Sequence, residues 1–114
     1  FIGIRIFEYA NICMIKVVMV DIDFEVEAQI LKALAHPTRL RIVEILQQEP
    51  ICVKHIGGLM DVPQANLSQH LSILRNCGIV SCSRDGNRIC YSIRDSRAAH
   101  ILAVLKNHAF DQSV

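Results

Sequence analysis

Residues 64–94 read QANLSQHLSILRNCGIVSCSRDGNRICYSIR, and this stretch decides the fold. Leu67, Leu71 and Leu74 recur at helical spacing, which predicts a helix from about Gln64 to Asn76 with one apolar stripe. Gly78 stands where a glycine closes a helix. The texture then changes: residues 79–84 and 88–94 are two short β-type runs, and Ile89, Tyr91 and Ile93 alternate strictly. Between them Asp85-Gly86-Asn87 is a hairpin signal, because glycine and asparagine accept positive φ.

Working toward the N-terminus, Asp61-Val62-Pro63 is a tight turn. Before it lies a short helix over residues 52–60, with Val53, Ile56 and Leu59 directed inward. Gln47-Gln48-Glu49-Pro50 ends a preceding helix in which Leu40, Ile42, Val43, Ile45 and Leu46 predict near-complete burial, and Pro37 suits its first turn. The first helix begins at Phe24, with Val26, Ile30 and Leu34 on one stripe beside Leu31 and Ala35. Toward the C-terminus, residues 96–109 predict a last helix carrying Ala98, Ile101, Leu102, Leu105 and Ala109 on one side. The expected fold is mainly α with a β-hairpin wing, in the order α-α-α-α-β-β-α, over residues 24–110. Residues 111–114 are read as a tail.

The helix over 64–76 differs in character from the one before it. Its apolar stripe is backed by Gln64, Asn66, Ser68, Gln69, His70, Ser72, Arg75 and Asn76, a face of amides and hydroxyls without a carboxylate. Such side chains match donor and acceptor patterns on base edges, where carboxylates would be repelled by phosphate. Two short helices joined by a tight turn form a helix-turn-helix, which presents the start of its second helix, here residues 64–70, to the major groove. Arg84 and Arg88 flank the hairpin tip and suit phosphates or a narrow minor groove. The competing structural reading is a solvated polar face.

Composition sets the frame for this reading. The 114 residues are 52% hydrophobic and carry a formal charge of +1, too balanced for a strongly basic nucleic-acid binder and too apolar for a disordered chain. The charge is unevenly spread. Residues 1–27 hold two basic and five acidic side chains (net −3), and residues 28–114 hold ten basic and six acidic (net +4). The body is therefore mildly basic. Five cysteines, an odd number without a CxxC pair, predict free thiols in a reducing cytoplasm. Residues 1–23 are read as an apolar leader or arm, either in part trimmed, tag-derived or upstream-translated, or native and packed on the body or on a partner subunit. Glu8 and Lys16 interrupt its apolar run, against both a secretory signal and a membrane span.

Leu34-Ala35-His36-Pro37-Thr38-Arg39-Leu40-Arg41-Ile42, Asn66-Leu67-Ser68-Gln69-His70-Leu71-Ser72-Ile73-Leu74 with Gly78-Ile79-Val80, and Arg84-Asp85-Gly86-Asn87-Arg88 with Tyr91-Ser92-Ile93 resemble the signatures of the ArsR/SmtB family of bacterial winged-helix repressors. The resemblance spans roughly residues 24–110. It implies a homodimer through the first and last helices, bound to a palindromic operator in double-stranded DNA, without membrane or RNA partners. It also assigns DNA contact to Gln64, Ala65, Asn66, Ser68, Gln69, His70, Arg75, Arg84, Asn87 and Arg88, and a structural role in the turn to His36.

The same resemblance implies release by a metal, a metalloid or a thiol-reactive signal. No cofactor is required otherwise. Each site type is incomplete in this chain. The metalloid-type motif reads Cys52-Val53-Lys54, leaving one thiolate that Cys13 on a partner's arm would supplement; otherwise Cys52 is a small, mostly buried helix-start residue. Asp95, His108 and Asp111 fall at the spacing of an interhelical zinc-type site, but Arg97 occupies a ligand position and repels a cation. Asp95 also suits the N-cap of the last helix, and His108 its negative end. Glu44 and Phe110 stand in the neighbourhoods of the redox-sensing cysteine pair. Cys82 and Cys90 oppose each other if the hairpin has a three-residue loop, which makes them redox candidates.

Two other classes compete with a DNA-binding regulator. A winged-helix protein-interaction module shares the fold, but would tolerate acids or apolar residues where Gln64, Asn66, Ser68 and Gln69 stand. An enzyme built on Cys52 and His55 lacks an orienting group and an oxyanion donor in the sequence.

Overall fold

The computed structural model describes residues 21–113. It contains five helices and a three-stranded antiparallel sheet: α1 (Phe24–Leu34), α2 (Pro37–Leu46), β1 (Ile51–Cys52), α3 (Val53–Met60), α4 (Gln64–Asn76), β2 (Val80–Asp85), β3 (Arg88–Ile93) and α5 (Ser96–Ser113). The sheet order is β1-β3-β2, so the hairpin strand β3 is central.

Local chemistry sets the helix ends. Asp23 caps α1, its Oδ1 accepting from the amides of Glu25 (3.1 Å) and Val26 (3.3 Å). Glu25 and Glu27 in the first turn and Lys32 in the last complement the helix dipole. His36 caps α2: its Nδ1 accepts from the Thr38 amide at 3.1 Å, and Pro37 follows at the first helical position. α4 ends in a Schellman arrangement, with the Ile79 amide bonded to the Leu74 carbonyl and the Gly78 amide to that of Arg75, both at 3.0 Å. Gly78 takes φ +77° there, a conformation a side chain would strain.

The core sits where α2, α3, α4 and the base of the hairpin meet. Ile42, Val43, Ile56, Leu67, Leu71, Leu74, Ile79 and Val80 are its fully buried side chains. At roughly 1.5–3 kcal/mol for each fully buried aliphatic side chain, this cluster fixes the pose of α4. The α4 stripe is thus as the periodicity predicts.

Four sequence expectations need correction. Periodicity directs Val26 and Leu31 inward, but both are half exposed, and α1 buries Ile30, Ala33 and Leu34 instead. Leu59 at the end of α3 is 50% exposed, because the chain turns away at Asp61 in the left-handed region (φ 53°). The last helix continues through Ser113, past residue 109 and into the expected tail, with Leu105 turned outward. Finally, Cys52 is the N-cap of α3, as a residue at a helix start, but it also lies in β1, a strand absent from the expected order, because the β-type pair Ile51-Cys52 finds an open edge on β3.

Candidate nucleic-acid interface

α4 buries Leu67, Leu71 and Leu74 and thereby turns its opposite face outward. Gln64, Ala65, Asn66, Ser68, Gln69, Ser72, Arg75 and Asn76 are all exposed. No carboxylate lies on this helix. The turn before it holds because Asp61 closes α3 by donating its amide to the Gly57 carbonyl. Gly57 faces Leu67: a Cβ there would lie 3.6 Å from Leu67 Cδ2, so the two helices pack closely.

His70 also makes contacts within the fold. It is half buried, its ring centroid 4.3 Å from that of His36, and Arg39 Nη1 lies 3.2 Å from its Nδ1. The guanidinium can only donate, so Nδ1 accepts and His70 is neutral in this contact. Burial, followed by the nearby His36 and Arg39, lowers its pKa from the usual histidine range. Arg39 also bonds the Ala33 carbonyl. His70 therefore ties α4 to the start of α2.

The hairpin forms the second part of the surface. Its turn is two residues long, Gly86-Asn87, not three, with Gly86 at φ +64° in the first central position as in a type II′ turn. The pairing is Arg84 with Ile89 and Asp85 with Arg88. Directly paired residues share a face and successive residues alternate, so Arg84 and Arg88 project from opposite faces of the wing. Both are exposed, as is Asn87 at the tip.

This register also corrects the expected thiol pair. Cys82 pairs with Tyr91, and Cys90 pairs with Ser83, so Cys82 and Cys90 lie on opposite faces of the hairpin. The Tyr91 hydroxyl is pushed above its ordinary range by burial first and then by Cys82. Cys90 instead stands opposite Cys52 of β1, with Sγ atoms 3.0 Å apart. Sequence reading misses this pair because it does not reveal β1; the only signal is a short apolar Ile51-Cys52-Val53 run. Cys77 is half buried against the core.

Of the other proposed ligands, Asp95 stands just before α5, and His108 and Asp111 lie one turn apart near its end. Asp95 Oδ1 accepts from the Arg97 amide at 3.0 Å, as an N-cap of α5, and its carboxylate also receives Arg97 Nη2 at 2.8 Å. These bonds hold the Asp95 carboxyl below its ordinary range, while Arg97 also reaches Glu27 on α1. His108 and Asp111 are exposed on α5. Cys13 lies outside the described residues. Among those described, no three or more His, Cys, Asp or Glu side chains gather as a metal-binding group. No described helix is long and apolar enough to cross a membrane.

A tight helix pair whose second member presents a polar face, followed by a cationic hairpin, defines a winged helix-turn-helix protein. Residues 36–81 match the bacterial regulatory protein, arsR family. The probable mercury resistance operon repressor of Streptomyces lividans is 39% identical over 90 residues, covering 75% of this chain and 69% of that protein. The crystal structure of Mycobacterium tuberculosis Rv0081 superposes with a TM-score of 0.66 at 36% identity, covering 80% of this chain and 96% of the other. A homodimeric winged helix-turn-helix DNA-binding domain from Mycobacterium bovis, solved by NMR, gives 0.69 at 28% identity over 77% and 82% of the two chains. The chain belongs to the arsR family, whose members are transcriptional regulators and not enzymes.

Proposed function

We propose that the protein is a homodimeric repressor of the cytoplasm that binds a palindromic operator and is released by a chemical signal. The observation that carries this reading is the acid-free, exposed face of α4 beside a wing with arginines on both faces. Gln64, Asn66, Ser68 and Gln69 would read base edges in the major groove, with Ala65 against a thymine methyl and Arg75 on the flanking backbone. Arg84 and Arg88, pointing to either side of the hairpin, would meet the two phosphate walls of a minor groove, with Asn87 at its floor.

Dimerisation is supported by the apolar residues that stand outside the monomer core. Phe24, Val26 and Leu31 on α1 and Val104 and Leu105 on α5 are 47–77% exposed. A second copy would cover them, and a twofold protein requires a twofold operator. The mercury-operon relative favours a thiophilic effector, with Cys52 and, across subunits, Cys13 as donors, or Asp95, His108 and Asp111 for a borderline metal. Anisotropy titrations of duplexes from upstream DNA, with and without zinc, cadmium or arsenite, test the reading. Sequence-selective binding relieved by one of these ions is expected; indifference to sequence contradicts it.

A further inference from the structure

Cys52 and Cys90 come from strands 38 residues apart in sequence, yet their sulfurs stand 3.0 Å from each other. They are directly opposed across the β1–β3 ladder, where a disulfide needs the sulfurs at about 2.05 Å and a small approach of the strands. No third sulfur or imidazole joins them as a metal-binding group among the described residues, and two facing thiols by themselves suffice for thiol–disulfide exchange. Cys52 lines an open cavity of about 960 Å³, together with Lys54, His55 and Arg88 and the single acid Glu49. That room and sign of charge fit a small anionic reagent.

We propose that Cys52 and Cys90 form a redox dithiol that a small anionic disulfide, of the glutathione-disulfide type, converts to an intramolecular disulfide that weakens DNA binding. The Cys52 thiolate attacks one sulfur of the reagent, its S–S bond breaks, and one thiol leaves with a proton from solvent. Cys90 then gives its proton to solvent and attacks the Cys52 sulfur, releasing the second thiol. The protein dithiol loses two electrons and the reagent gains them. The order of attack follows from access: Cys52 lines the cavity, and Cys90 does not. The contact with Cys52, followed by burial, also pushes the Cys90 thiol above its ordinary range.

The link to DNA rests on the operator reading proposed for α4 and the wing. Arg88 lies two residues from Cys90 on the same face of β3, so a covalent tie to β1 fixes the wing strand against the segment entering α3. A wing held to that segment cannot adjust independently of the helix pair. By reciprocity, operator DNA must disfavour the oxidation.

The full chain should be treated with oxidised glutathione, its remaining thiols alkylated, and its peptides mapped without reduction. The expected product joins Cys52 to Cys90, with Cys77 and Cys82 alkylated. Cystamine, a cationic disulfide, should react at least several-fold more slowly. Cys90→Ser should stop at a glutathione mixed disulfide on Cys52, and Cys82→Ser should behave as wild type. Oxidised protein should bind upstream DNA at least about fivefold more weakly than reduced, with reductant restoring affinity. A disulfide at another pair, a wild-type mixed disulfide that never resolves, or equal affinity of both forms overturns the proposal. If reduced protein binds no DNA, the operator reading fails, and the peptide map then decides the dithiol on its own.

Discussion

Arg39 Nη1 and His70 Nδ1 lie 3.2 Å apart, joining the first turn of α2 to the middle of α4 across 31 residues of sequence. The contact holds the helix that presents the polar face, and it requires a neutral imidazole. The unfolded chain protonates His70 from about pH 6.5 downward, whereas the folded chain does so only at lower pH. Stability contributed by this difference is complete above pH 6.5 and falls as pH drops toward the folded value. Urea unfolding at pH 7.5 and 5.5 should show a larger loss for wild type than for His70→Gln. Equal losses would remove His70 from this role.

Leu71 is fully buried on the inner face of α4. Leu71→Ala should cost about 2–5 kcal/mol, read as a lower urea midpoint at unchanged m-value. A cost under about 1 kcal/mol would mean that α4 is not seated as described.

Val104 and Leu105 expose 67% and 47% of their surface on α5. Placing a charge there, as in Val104→Glu, should leave a folded monomer in sedimentation experiments and abolish tight operator binding. A dimer of undiminished stability would place the subunit contact elsewhere.

Arg84→Ala and Arg88→Ala should weaken binding to all duplexes alike. Removing one arginine–phosphate interaction flattens the slope of log K against log salt by about 0.9, and each substitution removes two per dimer. Gln69→Ala should instead change sequence preference by about 1–3 kcal/mol at the base pair it reads. If Arg88→Ala left the salt slope untouched, the wing would not be on the backbone.

Much of this architecture is legible in the sequence because its signals are local. Leucine spacing in α4, Gly78, and the Asp85-Gly86-Asn87 turn each encode their own backbone. What escapes sequence reading depends on distant partners. β1 is two residues long and exists only because β3 offers an open edge, so no periodicity announces it. One residue in turn length moves the β2 partner of Cys90 from Cys82 to Ser83, and the β1–β3 register sets Cys52 on its other side. His70 reads as one polar residue among many, and only the fold of α2 beneath it draws its ring inward. Leu105 and Val26 read as core because periodicity marks an apolar face without saying which molecule covers it.

The central claim is that the α4 face and the wing read a specific duplex. Anisotropy titration of wild type against the DNA upstream of its own gene, and against a scrambled duplex of equal length and composition, tests it most directly at moderate salt. The account predicts a dimer binding the upstream duplex at least about a thousandfold more tightly than the scrambled one. Equal affinity for the two, or no binding to either, would contradict it.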